Sequence, residues 1–117
     1  INMNTQMGSS LPSEKLDRSN FSSWEYKMNQ YLVDQGYWSY INDTSESKPE
    51  IKNANYPTWD QGESRVMYYL ATCVHNHMLN HIRDAKTPKE AWKSLKKIFV
   101  ANRTARKLQL QKELSNI

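Results

Sequence analysis

Three side chains that can bind a transition metal recur at helical spacing near the middle of the chain. Cys73, His77 and His81 are four residues apart, so one straight helix would bring them to the same side. Thiolate and imidazole ligands of this kind suit zinc. Met78 follows the first histidine where a helical metalloprotease motif has a glutamate, so the general base of that chemistry is missing. A bend predicted between His75 and Met78 also breaks the alignment, and we expect no metal site.

Other catalytic signatures are missing from the sequence. Its serines lie in predicted caps and loops, and none stands in a Gly-x-Ser-x-Gly turn. Three glycines in all leave no phosphate-binding glycine-rich loop, and the acidic residues are scattered rather than paired. We therefore predict a protein that is not an enzyme and that takes no cofactor and no small-molecule substrate.

Basic side chains are concentrated towards the C-terminus. Residues 83–117 hold 10 lysines and arginines against 3 acidic residues, whereas residues 1–82 hold 6 against 9. These balances of +7 and −3 make up the net charge of +4. The distribution suits a phosphate-bearing partner or head-to-tail contact between copies, and a merely solvated helix surface explains it equally well. The candidate phosphate-binding residues are Lys93, Lys96, Lys97, Arg103, Arg106, Lys107 and Lys112.

The best-marked helix of the chain positions the first of these basic residues. Thr87 is a suitable N-cap residue, and Pro88 suits the first helical position. Glu90 lies three residues after Thr87, where its side chain can complete a capping box. Lysines occupy one face of this helix. Apolar residues recur on the opposite face, at Ala91, Trp92, Leu95, Ile98 and Phe99. Asn102 is predicted to end the helix or to cap the next one, which runs from about Thr104 and exposes Leu108.

The first amphipathic helix of the chain is predicted to start near Ser22. Glu25 follows this residue at capping-box spacing, and a contact between Phe21 and Tyr26 would staple the start of the helix. Gly36 is placed to end the helix in the left-handed conformation.

A short aromatic turn over residues 37–41 and a polar, acidic loop over residues 42–57 follow this helix. The second long helix is predicted to start at Thr58, with Gln61 at capping-box spacing. The bend after it leads into a short separate helix.

No segment shows sustained period-two alternation, so no sheet is predicted. The fold should be all-α, a bundle of five or six short helices that forms one domain over residues 14–117. Residues 1–13 are predicted to be a flexible leader, and Leu16 is predicted to dock from an extended segment. The final helix is predicted to be cut short at the last residue.

The four tryptophans are assigned to core packing rather than to nucleobase stacking. The predicted core is Trp24, Met28, Leu32, Trp38, Trp59, Val66, Leu70, Trp92, Leu95 and Phe99.

The composition also bears on the surroundings of the protein. No apolar run approaches the roughly 20 residues that cross a bilayer, and no signal-peptide pattern occurs. A single cysteine excludes an internal disulfide. We therefore expect an intracellular protein, located in the cytoplasm, with no membrane partner.

The ordered set of motifs resembles the N-terminal, capsid-like Gag region of plant copia-type LTR retrotransposons. The motifs that carry the resemblance are KLDRSNFSSW at 15–24, GYWSYI at 36–41, HIRDAKTPKEAW at 81–92, LKKIF at 95–99 and TARKLQL at 104–110. One departure is Arg18, because members of the family usually have glycine in the turn before the first helix.

The resemblance implies a structural domain like the N-terminal half of a retroviral capsid protein. In the family, copies of Gag assemble into virus-like particles that enclose the RNA of the element, and the zinc knuckle that grips RNA lies downstream. We therefore expect a homo-oligomer that binds RNA weakly. Two alternatives stay open: a basic-faced helical module that binds nucleic acid non-specifically, and a domesticated copy that serves its host as a helical protein-interaction domain.

Overall fold

The computed structural model describes residues 10–42 and 48–116, and in these ranges the chain is largely helical. In chain order the helices are α1 (Phe21–Asp34), a 3-10 turn (Trp38–Tyr40), α2 (Tyr56–Thr72), a second 3-10 helix (Asn76–His81) and α3 (Pro88–Ser115). No strand is formed within the described residues, so the predicted all-α class is confirmed. The predicted count of five or six helices is not confirmed, because the last two predicted helices form one.

Helix α1 begins at Phe21, one residue earlier than predicted, and its cap differs from the predicted one. Asn20 is the cap residue, and its side chain fixes the turn before the helix. Its amide oxygen accepts the N–H of Asp17 at 2.7 Å, and its amide nitrogen donates to the carbonyl of Lys15 at 2.9 Å. The predicted capping box that starts at Ser22 is therefore wrong, because this residue lies inside the first turn.

The predicted contact between Phe21 and Tyr26 is also wrong. Phe21 stacks on Phe99 of α3, with the ring centroids 4.7 Å apart, whereas Tyr26 is 66% exposed. The partner of Phe21 comes from a distant helix, which residue spacing within α1 cannot show.

The end of α1 follows the prediction. Gly36 has a φ of +78°, which a residue with a Cβ rarely adopts. The N–H of Tyr37 donates to the carbonyl of Leu32 at 2.8 Å, and the N–H of Gly36 donates to Val33 at 3.1 Å. This pair of bonds is a Schellman cap, and it turns the chain into the predicted aromatic turn.

Helix α2 begins at Tyr56, two residues before the predicted Thr58, and Pro57 lies in its first turn. Proline fits there because that position needs no N–H donor, so the residue assigned to the end of the loop belongs to the helix. Asn55 is the cap residue, and the predicted capping box with Gln61 is wrong. The buried residues of α2 are Gly62, Val66 and Leu70.

Two predicted segments fall partly outside the described residues. In the predicted leader (residues 1–13), residues 1–9 lie outside the described part of the chain. Leu11, which also belongs to the predicted leader, packs against the core. Of the predicted loop, residues 42–57, residues 43–47 lie outside them. The packed part of the chain therefore starts within the predicted leader.

An extended segment before α1 crosses the end of α2. Leu16 and Val74 form an isolated parallel bridge. In it, the N–H of Leu16 donates to the carbonyl of Cys73 at 2.8 Å, and the N–H of His75 donates to the carbonyl of Leu16 at 3.0 Å. Leu16 is buried, as expected of a residue that docks from an extended segment. The predicted bend after α2 is also confirmed, because His75 has extended backbone angles.

Helix α3 continues without a break through Asn102 to Ser115. The separate helix predicted from Thr104 is therefore wrong. Asparagine inside a helix costs well under about 1 kcal/mol, and most of the residues around it are good helix formers. Neither glycine nor proline interrupts this stretch, so the helix that begins at Pro88 propagates through it.

The core lies where the three α-helices and the second 3-10 helix meet. Trp38 and Phe99 are half-buried and pack against it. Trp59 differs from the prediction, since its half-buried ring lies at the edge of the core, 5.4 Å from the ring of Tyr40. The other residues assigned to the core are buried, namely Trp24, Met28, Leu32, Val66, Leu70, Trp92 and Leu95.

Candidate interaction surface

The cap of α3 fixes the start of the basic helix. The hydroxyl of Thr87 accepts the N–H of Glu90 at 3.2 Å, as predicted. The carboxylate of Glu90 accepts the N–H of Lys86, one residue before the cap, at 3.0 Å, and its charge lies at the positive end of the helix dipole. This half of α3 lies against the rest of the protein through four buried residues: Pro88, Ala91, Trp92 and Leu95.

The unbroken helix brings most of the predicted phosphate-binding residues to one side of α3. At 100° per residue, five of them fall within an arc of about 120°, namely Lys93, Lys96, Lys97, Arg103 and Lys107. Arg106 lies about 60° outside this arc, and all six side chains are exposed. We call these six residues the basic face. A break at Asn102 would have divided it, so the continuous helix builds a longer basic surface than the sequence indicated.

Two residues of the basic face have partners within the chain. The Nζ of Lys96 lies 3.8 Å from the carboxylate of Glu25, and the guanidinium of Arg103 lies 5.4 Å from the centre of the Phe99 ring. Contacts of this kind at a surface contribute at most about 1 kcal/mol. Within the described residues, four side chains have no ion pair and can meet an external anion: Lys93, Lys97, Arg106 and Lys107.

The spacing of these charges suits a polyanion. Residues 93–107 cover about 21 Å of helix, so the six positive charges are on average about 4 Å apart along the axis. One strand of a nucleic acid duplex carries one phosphate per about 3.4 Å. None of the four tryptophans is fully exposed. The arrangement therefore favours charge neutralisation of phosphates rather than stacking of bases on tryptophan.

The second half of α3 projects from the body of the protein. Every described residue from Val100 onwards is exposed. Among them, Leu108, Leu110 and Leu114 are 60%, 52% and 69% exposed. We call residues 100–116 the projecting half. Within the described residues this half of the helix is not buried against the rest of the chain, and its leucines are available to a partner.

The bend after α2 separates the three candidate metal ligands. Cys73 is buried, its thiol lies 3.8 Å from the carbonyl oxygen of Pro12, and burial raises the pKa of this thiol. The Nε2 atom of exposed His77 lies 3.0 Å from Asp17 Oδ1, and His81 is half-buried. In the part of the chain that the structure describes, no group of three or more His, Cys, Asp or Glu residues could hold a metal ion.

The carboxylate of Asp17 joins the segment before α1 to the second 3-10 helix. It accepts the N–H of Arg18 at 2.7 Å and lies 3.0 Å from Nε2 of His77. These two hydrogen bonds, the first more than the second, hold the pKa of Asp17 below its ordinary value of 3.8. The ring of His77 also stacks on His75, with centroids 5.7 Å apart. At pH values at which the carboxyl group of Asp17 is ionised, these contacts therefore hold the segment before α1 against the second 3-10 helix.

The sequence did not predict an exposed surface on α1. Tyr26, assigned to a staple, is 66% exposed, and Val33, two turns later, is 52% exposed. Beside them, a groove of about 440 Å³ lies between α1 and α3, and Trp38 and Trp92 are among its lining residues. The signal in the sequence is the absence of charge from the outer positions of this helix.

These features define the class of protein as an all-α domain whose exposed surfaces suit binding rather than catalysis. None of the helices within residues 10–42 and 48–116 is long and apolar enough to cross a membrane. The chain belongs to the family of gag-polypeptides of LTR copia-type, whose model matches residues 28–117. The predicted resemblance is thereby confirmed. The Gag region of this family is structural and not catalytic, which also confirms that the chain is not an enzyme.

A plant polyprotein is similar to this chain. The retrovirus-related Pol polyprotein from transposon TNT 1-94 of Nicotiana tabacum is 26% identical over 94 residues, which is 80% of this chain. The chain spans 7% of the length of that polyprotein. The similarity supports a Gag region of plant copia type. No solved structure matches the chain.

Proposed function

We propose that this chain is a structural Gag domain that self-associates into virus-like particles and encloses retrotransposon RNA. The observation that carries the proposal is the projecting half of α3, which is exposed along its described length. It bears three exposed leucines and four basic side chains. A helical segment whose described residues are all exposed is suited to contact another molecule, and membership of a structural family agrees with this role.

The unequal distribution of charge supports contacts between copies. Residues 83–117 carry a balance of +7 and residues 1–82 a balance of −3, so the basic end of one copy attracts the acidic part of the next. A head-to-tail contact of this kind adds further copies instead of closing at two. Because salt screens surface charges, we expect this contact to weaken as ionic strength rises.

Two further expectations belong to this proposal. One is the likeness to the N-terminal half of a retroviral capsid protein, which the all-α core supports. The other is a location in the cytoplasm. Both stay predictions.

Electron microscopy of the purified chain, with and without single-stranded RNA, tests the assembly. We expect particles in the wild type and none when Leu108, Leu110 and Leu114 are all replaced by serine. Ile51→Ser is the matched control, because Ile51 is 79% exposed outside α3. Particles that persist in the triple variant would show that the projecting half does not carry assembly.

The basic face supports a second candidate function, the non-specific binding of nucleic acid. A chain that neutralises four phosphates of a single strand should lose affinity with salt, so that the logarithm of the association constant falls with a slope of about −3 against log salt. That slope corresponds to a loss of about 60-fold between 50 and 200 mM salt.

Fluorescence anisotropy with labelled single-stranded RNA measures this binding. We expect replacement of Lys96, Lys97, Arg106 and Lys107 by alanine to abolish it. A control variant loses the same charge elsewhere, through alanine at Lys15, Lys52, Arg65 and Arg83, and should bind RNA like the wild type. Equal loss in both variants would mean that net charge, and not the basic face, governs binding.

A further inference from the structure

We propose that the outer face of α1 is a two-fold contact surface whose partner is the same face of a second copy of this chain. The inference rests on the proposed self-association and names one surface that carries it. At 100° per residue, the outer face covers an arc of about 120°. It consists of Ser22, Ser23, Tyr26, Asn29, Gln30 and Val33.

The outer face of α1 carries no charged residue, although 24% of the residues in the chain are charged. Two charged side chains at its margins are neutralised within the chain: Glu25 lies 3.8 Å from Lys96, and Lys27 lies 3.3 Å from Glu14. The third, Asp34, is the last residue of the helix. Depletion of charge around exposed aromatic side chains is typical of the centre of a protein–protein interface. A second copy therefore meets no unpaired like charge at the centre of this face.

The other two α-helices formed by the described residues carry exposed charged side chains that have no ion pair within those residues. Helix α3 carries eight lysines and arginines against two glutamates, so two copies of it repel each other. Helix α2 carries exposed Asp60 and Arg65 at the margins of its outer side, and neither has an ion pair within the described residues. Helix α1 differs from both, because Glu25 and Lys27 at the margins of its outer face are paired within the chain.

The outer face of α1 also offers both a protruding side chain and a groove to receive it. Tyr26 and Val33 are the exposed apolar residues of the face. The groove of about 440 Å³ is lined by Tyr26 itself, by the rings of Trp38 and Trp92, and by Glu25 and Lys96, whose charges are paired with each other. In a two-fold pair, Tyr26 of each copy enters the groove of the other copy. The symmetry therefore forms the same contact between Tyr26 and the groove twice. Aromatic side chains at such positions are frequent anchors of interfaces.

This contact differs from the head-to-tail contact in two measurable ways. A two-fold contact closes at the dimer, whereas a head-to-tail contact continues to add copies. An uncharged contact also keeps its strength in salt, whereas contacts between opposite charges are screened. High salt should therefore reduce larger assemblies to a dimer held through α1.

Amide NMR spectra of the isotope-labelled chain, recorded over a dilution series at low and at high salt, locate the contact. At both salt concentrations we expect concentration-dependent shifts at Tyr26, Asn29 and Val33. Tyr26→Glu and Val33→Glu each place like charges on both sides of the two-fold contact and should weaken dimerisation at least about tenfold. Tyr68→Glu is the control, because Tyr68 is 64% exposed on α2, and it should dimerise like the wild type.

The possible results separate this inference from the proposed function. Shifts confined to α3 and lost at high salt would overturn the α1 contact and leave the proposed self-association standing. Dimerisation that persists in both Tyr26→Glu and Val33→Glu, or that is lost equally in Tyr68→Glu, would also overturn the α1 contact. Wild-type spectra that do not change with concentration at either salt would overturn both proposals.

Discussion

The indole N–H of Trp24 donates a 2.8 Å hydrogen bond to the backbone carbonyl of Cys73, 49 residues further along the chain. The same carbonyl accepts the N–H of Leu16 at 2.8 Å. Cys73 caps the C-terminal end of α2, where carbonyl groups lack partners within the helix. One peptide group therefore joins α1, the extended segment before it and the end of α2.

Trp24→Phe should lower the free energy of unfolding by about 2 kcal/mol, because it removes this hydrogen bond and part of a fully buried ring. Urea unfolding followed by circular dichroism measures the change. Trp59→Phe is the control, since Trp59 is half-buried at the edge of the core, and it should cost less than about 1 kcal/mol. Equal losses in the two variants would contradict the central place of Trp24.

Gly62→Ala should destabilise the protein, although alanine raises helix propensity by about 1 kcal/mol. Gly62 is buried in α2 against the ring of Tyr40, and an added Cβ would overlap the Tyr40 hydroxyl. We expect a net loss of about 1–3 kcal/mol in thermal or urea unfolding. Ser64→Ala, at an exposed position of the same helix, should change stability by less than about 0.5 kcal/mol. A more stable Gly62→Ala variant would show that Tyr40 moves aside freely.

Asp17 should make stability depend on pH in the acid range. Its pKa in the folded protein lies below 3.8, because its carboxylate accepts the N–H of Arg18 and lies against His77. A lowered pKa stabilises the fold above the pKa of the unfolded chain, and this contribution is lost as pH falls through the folded value. The urea midpoint should therefore fall less steeply below pH 3.8 in Asp17→Asn than in the wild type. Identical slopes would contradict the role of Asp17.

The projecting half of α3 should be separable from the stability of the core. Thr104→Pro breaks the helix where every described residue is exposed, so we expect lower helix content by circular dichroism and a change of less than about 1 kcal/mol in unfolding. Ser94→Pro breaks the same helix where it packs on the core and should cost about 3 kcal/mol or more. A large loss of stability in Thr104→Pro would mean that the projecting half supports the core.

Two signals that depend on a few neighbouring residues correctly predicted where helices begin or end. Thr87 with Glu90 marked the start of α3, and Gly36 marked the end of α1, because each cap is a local arrangement of hydrogen bonds. The starts of α1 and α2 were displaced by one and two residues. In α1 the cap is set by Asn20, whose side chain bonds backward to Asp17 and Lys15 rather than to the helix.

The candidate surfaces were harder to predict, because they depend on how far a helix continues and on which side it packs. The basic residues were identified, but their alignment on one side of α3 requires the helix to continue through Asn102. The low helix propensity of one asparagine is not enough to end a helix that is already formed on both sides of it. Tyr26 was assigned to a local contact. Its exposure follows from Phe21 packing on Phe99 instead, which is a contact between residues 78 positions apart along the chain.

The central claim is that copies of this chain associate, and the mass of the protein in solution tests it most directly. Multi-angle light scattering over a range of protein and salt concentrations should show masses that grow with protein concentration at low salt. At high salt, the mass should fall to about twice the 13.8 kDa of one chain, because the charged contact is screened and the α1 contact is not. A mass that stays at 13.8 kDa under all conditions would contradict the claim.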